Sequence, residues 1–465
     1  RDSTQSASCP SHDDDNWVIG PTARNHGSVH SDIIEDAAAE RPATGRSVLD
    51  ASGHDQLKVE LADGLVTLDR VTITKAVKHG IYMTGGASLT LDDVGLVRNG
   101  TVGGVALTGR GLYFTGSKSK TALIVRKSDI LGNRTPDGSS AYNSQKGIGF
   151  NLSGLKAVTL TDSLFASNGC NRGTSPCRDQ GFTGGCILAD AVNRIAAERC
   201  RFIGNGSSSR GNGKIIAIGG ACDGGAKYTF TNCLFAANYL YRWQESDKLG
   251  QAGVVGLGLT YSGSADFKNC TFAYNICDGE GACAGLMVGA NCPTRVTDCI
   301  FWGNCSATNY TGVGRDIDQR GNVAVTVERT LLESTNAPCV YAAYPGKVTF
   351  TNMTLADPLY VSTADDFAAV TEIRCYNQDI KNSTVFTSDE ALGSFNLHLR
   401  GGRGYTDETT GELVRVGGGD SPAIDAGSKG ALLEPKPNGR RLNLGYYGGT
   451  PWATRSPDGF LLMVK

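Results

Sequence analysis

The chain has 465 residues, with 44 basic and 46 acidic side chains and a net charge of −2 at pH 7. Both signs are spread along its length, so it carries no electrostatic footprint for a nucleic acid or an anionic membrane. No apolar run approaches the roughly 18 to 20 residues that span a bilayer, and 62 glycines, 16 tyrosines and 15 phenylalanines beside 4 methionines describe short strands joined by tight turns.

The first residues, Arg1 to Asn16, are polar and do not resemble a signal peptide, so an exported chain has already lost its leader. Asp32 to Glu40 (DIIEDAAAE) is the one convincing helical stretch. It precedes SVLDAS, Ser47 to Ser52, and predicts a short helix capping the open apolar end of a first coil, with residues 1–45 as an N-terminal segment.

A repeat follows. LVRN ends at Asn99, ILGN at Asn133, LFASN at Asn168, RFIGN at Asn205, LFAAN at Asn238, TFAYN at Asn275 and IFWGN at Asn304, in steps of 34, 35, 37, 33, 37 and 29 residues. Three positions before each asparagine stand Leu96, Ile130, Phe165, Phe202, Phe235, Phe272 and Phe301; five before stand Val94, Ser128, Ser163, Cys200, Cys233, Cys270 and Cys299. Two such columns, two residues apart, mark one face of a strand. A face of this kind is buried only by stacking on its own copies, which makes the chain a solenoid.

Further short runs between the asparagines, such as Lys214 to Ile218 and Gly253 to Leu259, make each unit several strands long. The prediction is an all-β, right-handed parallel β-helix with a short N-terminal capping helix, repeats over 46–355, and further rungs with a cap over 356–465. The asparagine column reads as turn chemistry, with the stacked asparagines forming a ladder inside or beside the turn. Extra length falls mostly after each asparagine, so loops such as Tyr239 to Gln251 should leave along one edge.

Fourteen of the fifteen cysteines lie between Cys170 and Cys375, without a CxxC pair and mostly away from the six histidines, which favours disulfides over zinc. Spacing suggests local staples Cys170 with Cys177, Cys277 with Cys283, and Cys292 with Cys305. The inward Cys200, Cys233, Cys270 and Cys299 read as a reduced, buried stack.

The repeats are followed by DPLY (Asp357 to Tyr360), FNLHLR (Phe395 to Arg400), SPAIDAG (Ser421 to Gly427) and PNGRRLNLGYYGGTPWATRS (Pro437 to Ser456). In these residues the chain resembles bacterial extracellular β-helix repeat proteins over roughly residues 45 to 456. The resemblance implies export and life at a cell surface. It does not choose among lyases, glycosidases and adhesins on the same fold.

A lyase on this fold needs a base beside a group that neutralises a uronate, and a hydrolase needs converging carboxylates. In RDIDQR, Asp316 and Asp318 are expected to share a face with Arg315 pointing oppositely, and with Arg320 they form the candidate catalytic set; the plain alternative is a solvated sheet face. Asp92 and Asp93, as strand neighbours, cannot act as a dyad. His79, beside Gly80, reads as decoration of a turn.

The loop YRWQESDK joins an aromatic surface, Trp243, to Arg242, Glu245, Asp247 and Lys248, a combination suited to a sugar ring. Calcium could find hard oxygen ligands at Asp13 to Asp15 or at Asp278 and Glu280, though neither has the spacing of a calcium loop; no other cofactor is indicated. Sequons occur at several ladder asparagines, Asn99, Asn133, Asn205 and Asn304 among them.

Two readings result. The first is a secreted, non-catalytic surface protein, structural or adhesive, whose termini could dock onto further copies to build a filament or layer. The second is a polysaccharide lyase or glycoside hydrolase that binds a glycan along one face.

Overall fold

The computed structural model describes residues 45–52, 54, 56–100, 110–133, 147–169, 183–209, 213–220, 222, 225–242, 253–259, 263–278, 285–306, 315–336, 339–362, 371–376, 380–386, 396–428, 434–439 and 441–457, with strands at Ser11–Asp13, Asn16–Ile19 and His26–Val29. Among them every regular element is a strand. The fold is a parallel β-helix. Each coil gives one strand to each of three long sheets, A, B and C, of 12, 11 and 9 strands. One coil runs through His79–Gly85 in A, Ser88–Asp92 in B and Gly95–Val97 in C, and the next through Arg110–Thr115, Ala122–Arg126 and Asp129–Leu131.

Sheet C shows how the sequence sets the coil. Most of its strands are three residues long and are bounded by left-handed residues on both sides. On the entering side these are Asp93, Lys127, Asp162, Arg199, Asn232, Asn269 and Asp298; on the leaving side, Arg98, Gly132, Ser167, Gly204, Ala237, Tyr274 and Gly303. A non-glycine residue in this region costs about 1 kcal/mol or more. That cost recurs on every coil, so something repeated must offset it.

Three columns do so. Leu96, Ile130, Phe165, Phe202, Phe235, Phe272 and Phe301 are fully buried, and the rings from Phe165 onward stack with centroids 4.9, 5.2, 4.5 and 4.6 Å apart. Val94, Ser128, Ser163 and the four cysteines fill the entering corner. There Ser128 and Ser163 donate to the carbonyl two residues back, each at 2.7 Å, and the thiols of Cys200, Cys233, Cys270 and Cys299 do the same at 3.2–3.5 Å. These four thiols are free and buried, as the sequence suggested.

The asparagines form the third column, the stacked ladder at the turn that the repeat predicts. The Asn205 side-chain amide donates to Phe165 O (2.9 Å) and to Asn238 Oδ1 (3.1 Å), while its Oδ1 accepts the backbone and side-chain N–H groups of Asn168, both at 3.1 Å. The same pattern runs from Asn99 to Asn304. Gly80 and Gly111 leave room for it in sheet A, where a Cβ would come within 2.9 Å of Asn99 Nδ2 and 3.2 Å of Asn133 Nδ2. Ladder sequons such as Asn99 and Asn205 are fully buried and cannot be glycosylated in the folded state.

The C-terminal part differs from the expected run of further rungs. After Thr354 the described residues add no strand to the three long sheets. They form a wall against the outer face of sheet C, where Ile203, Leu234, Ala273, Ile300 and Leu331 meet Tyr360, Leu397, Leu399, Ile424, Leu444 and Tyr446 in a second apolar core. The physical reason lies in the strands from Leu164 onward, whose outer positions turn apolar and need cover. The left-handed corner residues secure the wall. Asn232 donates to Tyr446 O (2.8 Å), Asn269 donates to Asn443 O (3.2 Å), and Asp298 O accepts from Gly445 N (2.9 Å).

The predicted helix at Asp32 to Glu40 lies outside the described residues. Strands Asn16–Ile19 and His26–Val29 extend sheets A and B at that end.

Asn205→Ala removes four hydrogen bonds and strands buried partners. It should lower stability by about 3 to 5 kcal/mol, read as a fall in the guanidinium midpoint. A shift of less than about 1 kcal/mol would mean the ladder is incidental.

Candidate functional site

Asp316 and Asp318 lie where sheet A nears its end, around the strand Ile317–Gln319. Neither meets the sequence expectation of a carboxylate pair on an accessible face, and neither is solvated: Asp316 is 2% exposed and Asp318 0%. Each is used by the scaffold.

Asp316 closes the asparagine ladder. Its Oδ1 accepts from Asn304 Nδ2 at 2.9 Å, the position that the next asparagine would otherwise supply. Around it Arg315 pairs with Glu333 at 2.9 Å and reaches Cys339 Sγ at 3.2 Å. Burial pushes the Asp316 carboxyl up to about 7, with Glu333 adding to the rise and Asn304 and Arg315 opposing it.

Asp318 lies beside Met287 and Tyr341 in register and forms an ion pair with Arg320, Oδ1 to Nε 2.7 Å. The Arg320 guanidinium sits over the Tyr341 ring, 4.6 Å from its centroid. Burial raises the Asp318 carboxyl to about 6 against the pull of Arg320. A buried charge paired this way is a structural lock, and breaking one side of it is costly.

Arg242 ends the strand Tyr239–Arg242, which stacks with Gly206–Ser209, Ile276–Asp278 and Cys305–Ser306 in a fourth parallel sheet. The segments after the asparagines therefore start in register, one above another. Trp243, Glu245, Asp247 and Lys248 lie outside the described residues, as do Glu280, Cys170, Cys177 and Cys283. Asp278 is the last residue of its strand. No disulfide forms among the described residues. Cys277 is buried, and Cys292 is a buried free thiol whose pKa burial pushes up to about 12, so a staple to Cys305 is not made.

Two buried groups depart from the sequence reading, one misplaced by it and one not singled out. His79 opens a strand instead of decorating a turn; it stacks 5.7 Å from both Tyr82 and Tyr113, and burial lowers it to about 3. Lys214 is fully buried in the strand Gly213–Gly220, with its methylenes across Gly256, where a Cβ would come within 2.2 Å; burial lowers its ammonium to about 7. The spaced glycines of the strand Gly253–Leu259 were the available signal, because they mark where something lies close to a strand.

Against known proteins, the chain matches no family model, no curated protein and no solved structure. Among the described residues no helix is long and apolar enough to cross a membrane.

A carboxyl raised from 3.8 to about 7 on folding binds its proton more tightly in the native state, so its contribution falls as pH rises between those values and then levels off. Asp316→Asn keeps the acceptor for Asn304 and removes the buried charge. The variant should exceed the parent by about 2 to 4 kcal/mol at pH 8 and lose that gain toward pH 4. Denaturant melts at both pH values check this, and a variant less stable at pH 8 would contradict the ladder role.

Proposed function

We propose that the chain is a secreted, non-catalytic surface protein whose β-helix is a rigid support for loops that make adhesive contacts. One observation carries this reading. The carboxylates best placed by sequence to be catalytic are buried and engaged, Asp316 by the end of the asparagine ladder and Asp318 by Arg320. A lyase or hydrolase needs such groups facing a substrate-sized groove with freedom to exchange protons.

The stacked strands of the fourth sheet support the display role, since they set the chain after successive asparagines in register. Loops on a rigid scaffold are where recognition residues concentrate. The loop that begins at Arg242 is assigned to carbohydrate or protein contact through Trp243, Glu245, Asp247 and Lys248, with no metal required. Export and a surface location follow from the resemblance of the repeats and the C-terminal segment to extracellular β-helix proteins.

The test pairs a polysaccharide turnover panel with a glycan array and binding to whole cells. The expected result is no release of reducing ends or unsaturated uronates, with binding that Trp243→Ala lowers at least tenfold, roughly the 1.4 kcal/mol of one lost aromatic contact. Turnover abolished by Asp318→Asn would refute the non-catalytic reading.

A further inference from the structure

Along the outer face of sheet C, under the C-terminal wall, Leu234, Thr271, Ile300 and Leu331 stand one above another in register. Thr271 is the polar member of that row, and it is 2% exposed. The wall comes down closely on it. Thr271 Oγ1 accepts from Tyr446 N at 2.9 Å, and a Cβ on Gly445 would lie 2.6 Å from the same oxygen. That contact occupies a lone pair of the hydroxyl and leaves its proton to donate elsewhere.

Tyr360, on the wall side, has a related need. Its side chain is 4% exposed, and its hydroxyl is buried without a hydrogen bond to any described residue. Burial holds the phenol well above its ordinary range; Tyr274 adds to the rise and the Thr271 hydroxyl opposes it. The phenol therefore keeps its proton, and Thr271 lies near enough to act on it.

A cavity of about 10 Å³ opens between the two elements, lined by Thr271, Ile300, Tyr360, Leu397, Leu399 and Asn443 among others. A single water needs roughly 10 to 15 Å³ measured in this way. Every lining residue is uncharged, which suits water and not an ion. On the wall side, Asn443 Oδ1 accepts from Asp425 N at 2.8 Å and keeps a second lone pair.

We propose that one ordered water molecule binds in this cavity and links the wall to the solenoid through the hydroxyls of Thr271 and Tyr360, with Asn443 as its third partner. The water accepts the proton of each hydroxyl and donates to the Asn443 carboxamide, about three hydrogen bonds, the usual number for a buried water. A dry cavity would leave the Tyr360 hydroxyl desolvated without compensation, whereas holding one water in place costs little. The inference is independent of what the loops bind.

A high-resolution crystal structure of the full chain tests it, with denaturant melts of the Tyr360→Phe variant beside the parent. The expected result is one density peak within hydrogen-bond distance of both Thr271 Oγ1 and Tyr360 Oη. In solution the two states of the cavity have opposite signs: removing a hydroxyl that binds water lowers the guanidinium midpoint, and removing a stranded one raises it. The midpoint of Tyr360→Phe is expected to fall. A cavity without density, a direct bond between the two hydroxyls, or a midpoint raised or unchanged in the variant would each overturn the proposal.

Discussion

The buried carboxamide ladder is the constraint on which the rest of this structure depends. Each asparagine spends its two donors and its acceptor on neighbouring coils, and none of these groups has access to water. A buried amide left half-satisfied is more costly than none, so holding one asparagine in this position requires another one coil later. The requirement fixes coil spacing, brings the phenylalanines into stacking distance and offsets the left-handed corners on either side of each short strand. The number of residues between successive asparagines varies from 29 to 37 without disturbing the column.

A ladder must also end, and its ending explains the most misleading feature of the sequence. Two aspartates spaced by one residue near an arginine resemble acid–base machinery. In the fold, Asp316 offers the acceptor that Asn304 needs, while Asp318 holds Arg320 against Tyr341. Their raised proton affinities follow from burial, which shifts structural and catalytic carboxyls alike. Geometry separates the two cases, and here it assigns both residues to the scaffold.

How much was legible depended on whether a residue's partner recurs. The inward columns and the asparagine period could be read because each member's partner is its own copy one coil away. Asp316 could not be placed, since its partner is the last member of that series and no repeat announces an ending. The wall was hidden for a related reason: Tyr446 and Asn443 bind Thr271 and Asn269 more than 170 residues earlier in the chain. A trace of it was present in Leu164-Phe165-Ala166 and Ile300-Phe301-Trp302, which are apolar on both faces where Asp129-Ile130-Leu131 keeps a charge outside. A strand apolar on both faces must be covered twice.

The cysteines alter the argument for compartment. A high count suggested disulfides and hence an oxidising environment. Yet Cys200, Cys233, Cys270 and Cys299 continue a column that begins with Ser128 and Ser163 and passes on to Thr330, whose hydroxyl also donates to the carbonyl two residues back. Serine, cysteine and threonine are doing one job there, a small side chain with a donor proton at a tight corner. Cysteine suits the middle of the column, where it borders stacked phenylalanine rings and a thiol is less costly to desolvate than a hydroxyl. These four residues are therefore explained by packing and carry no information about redox environment.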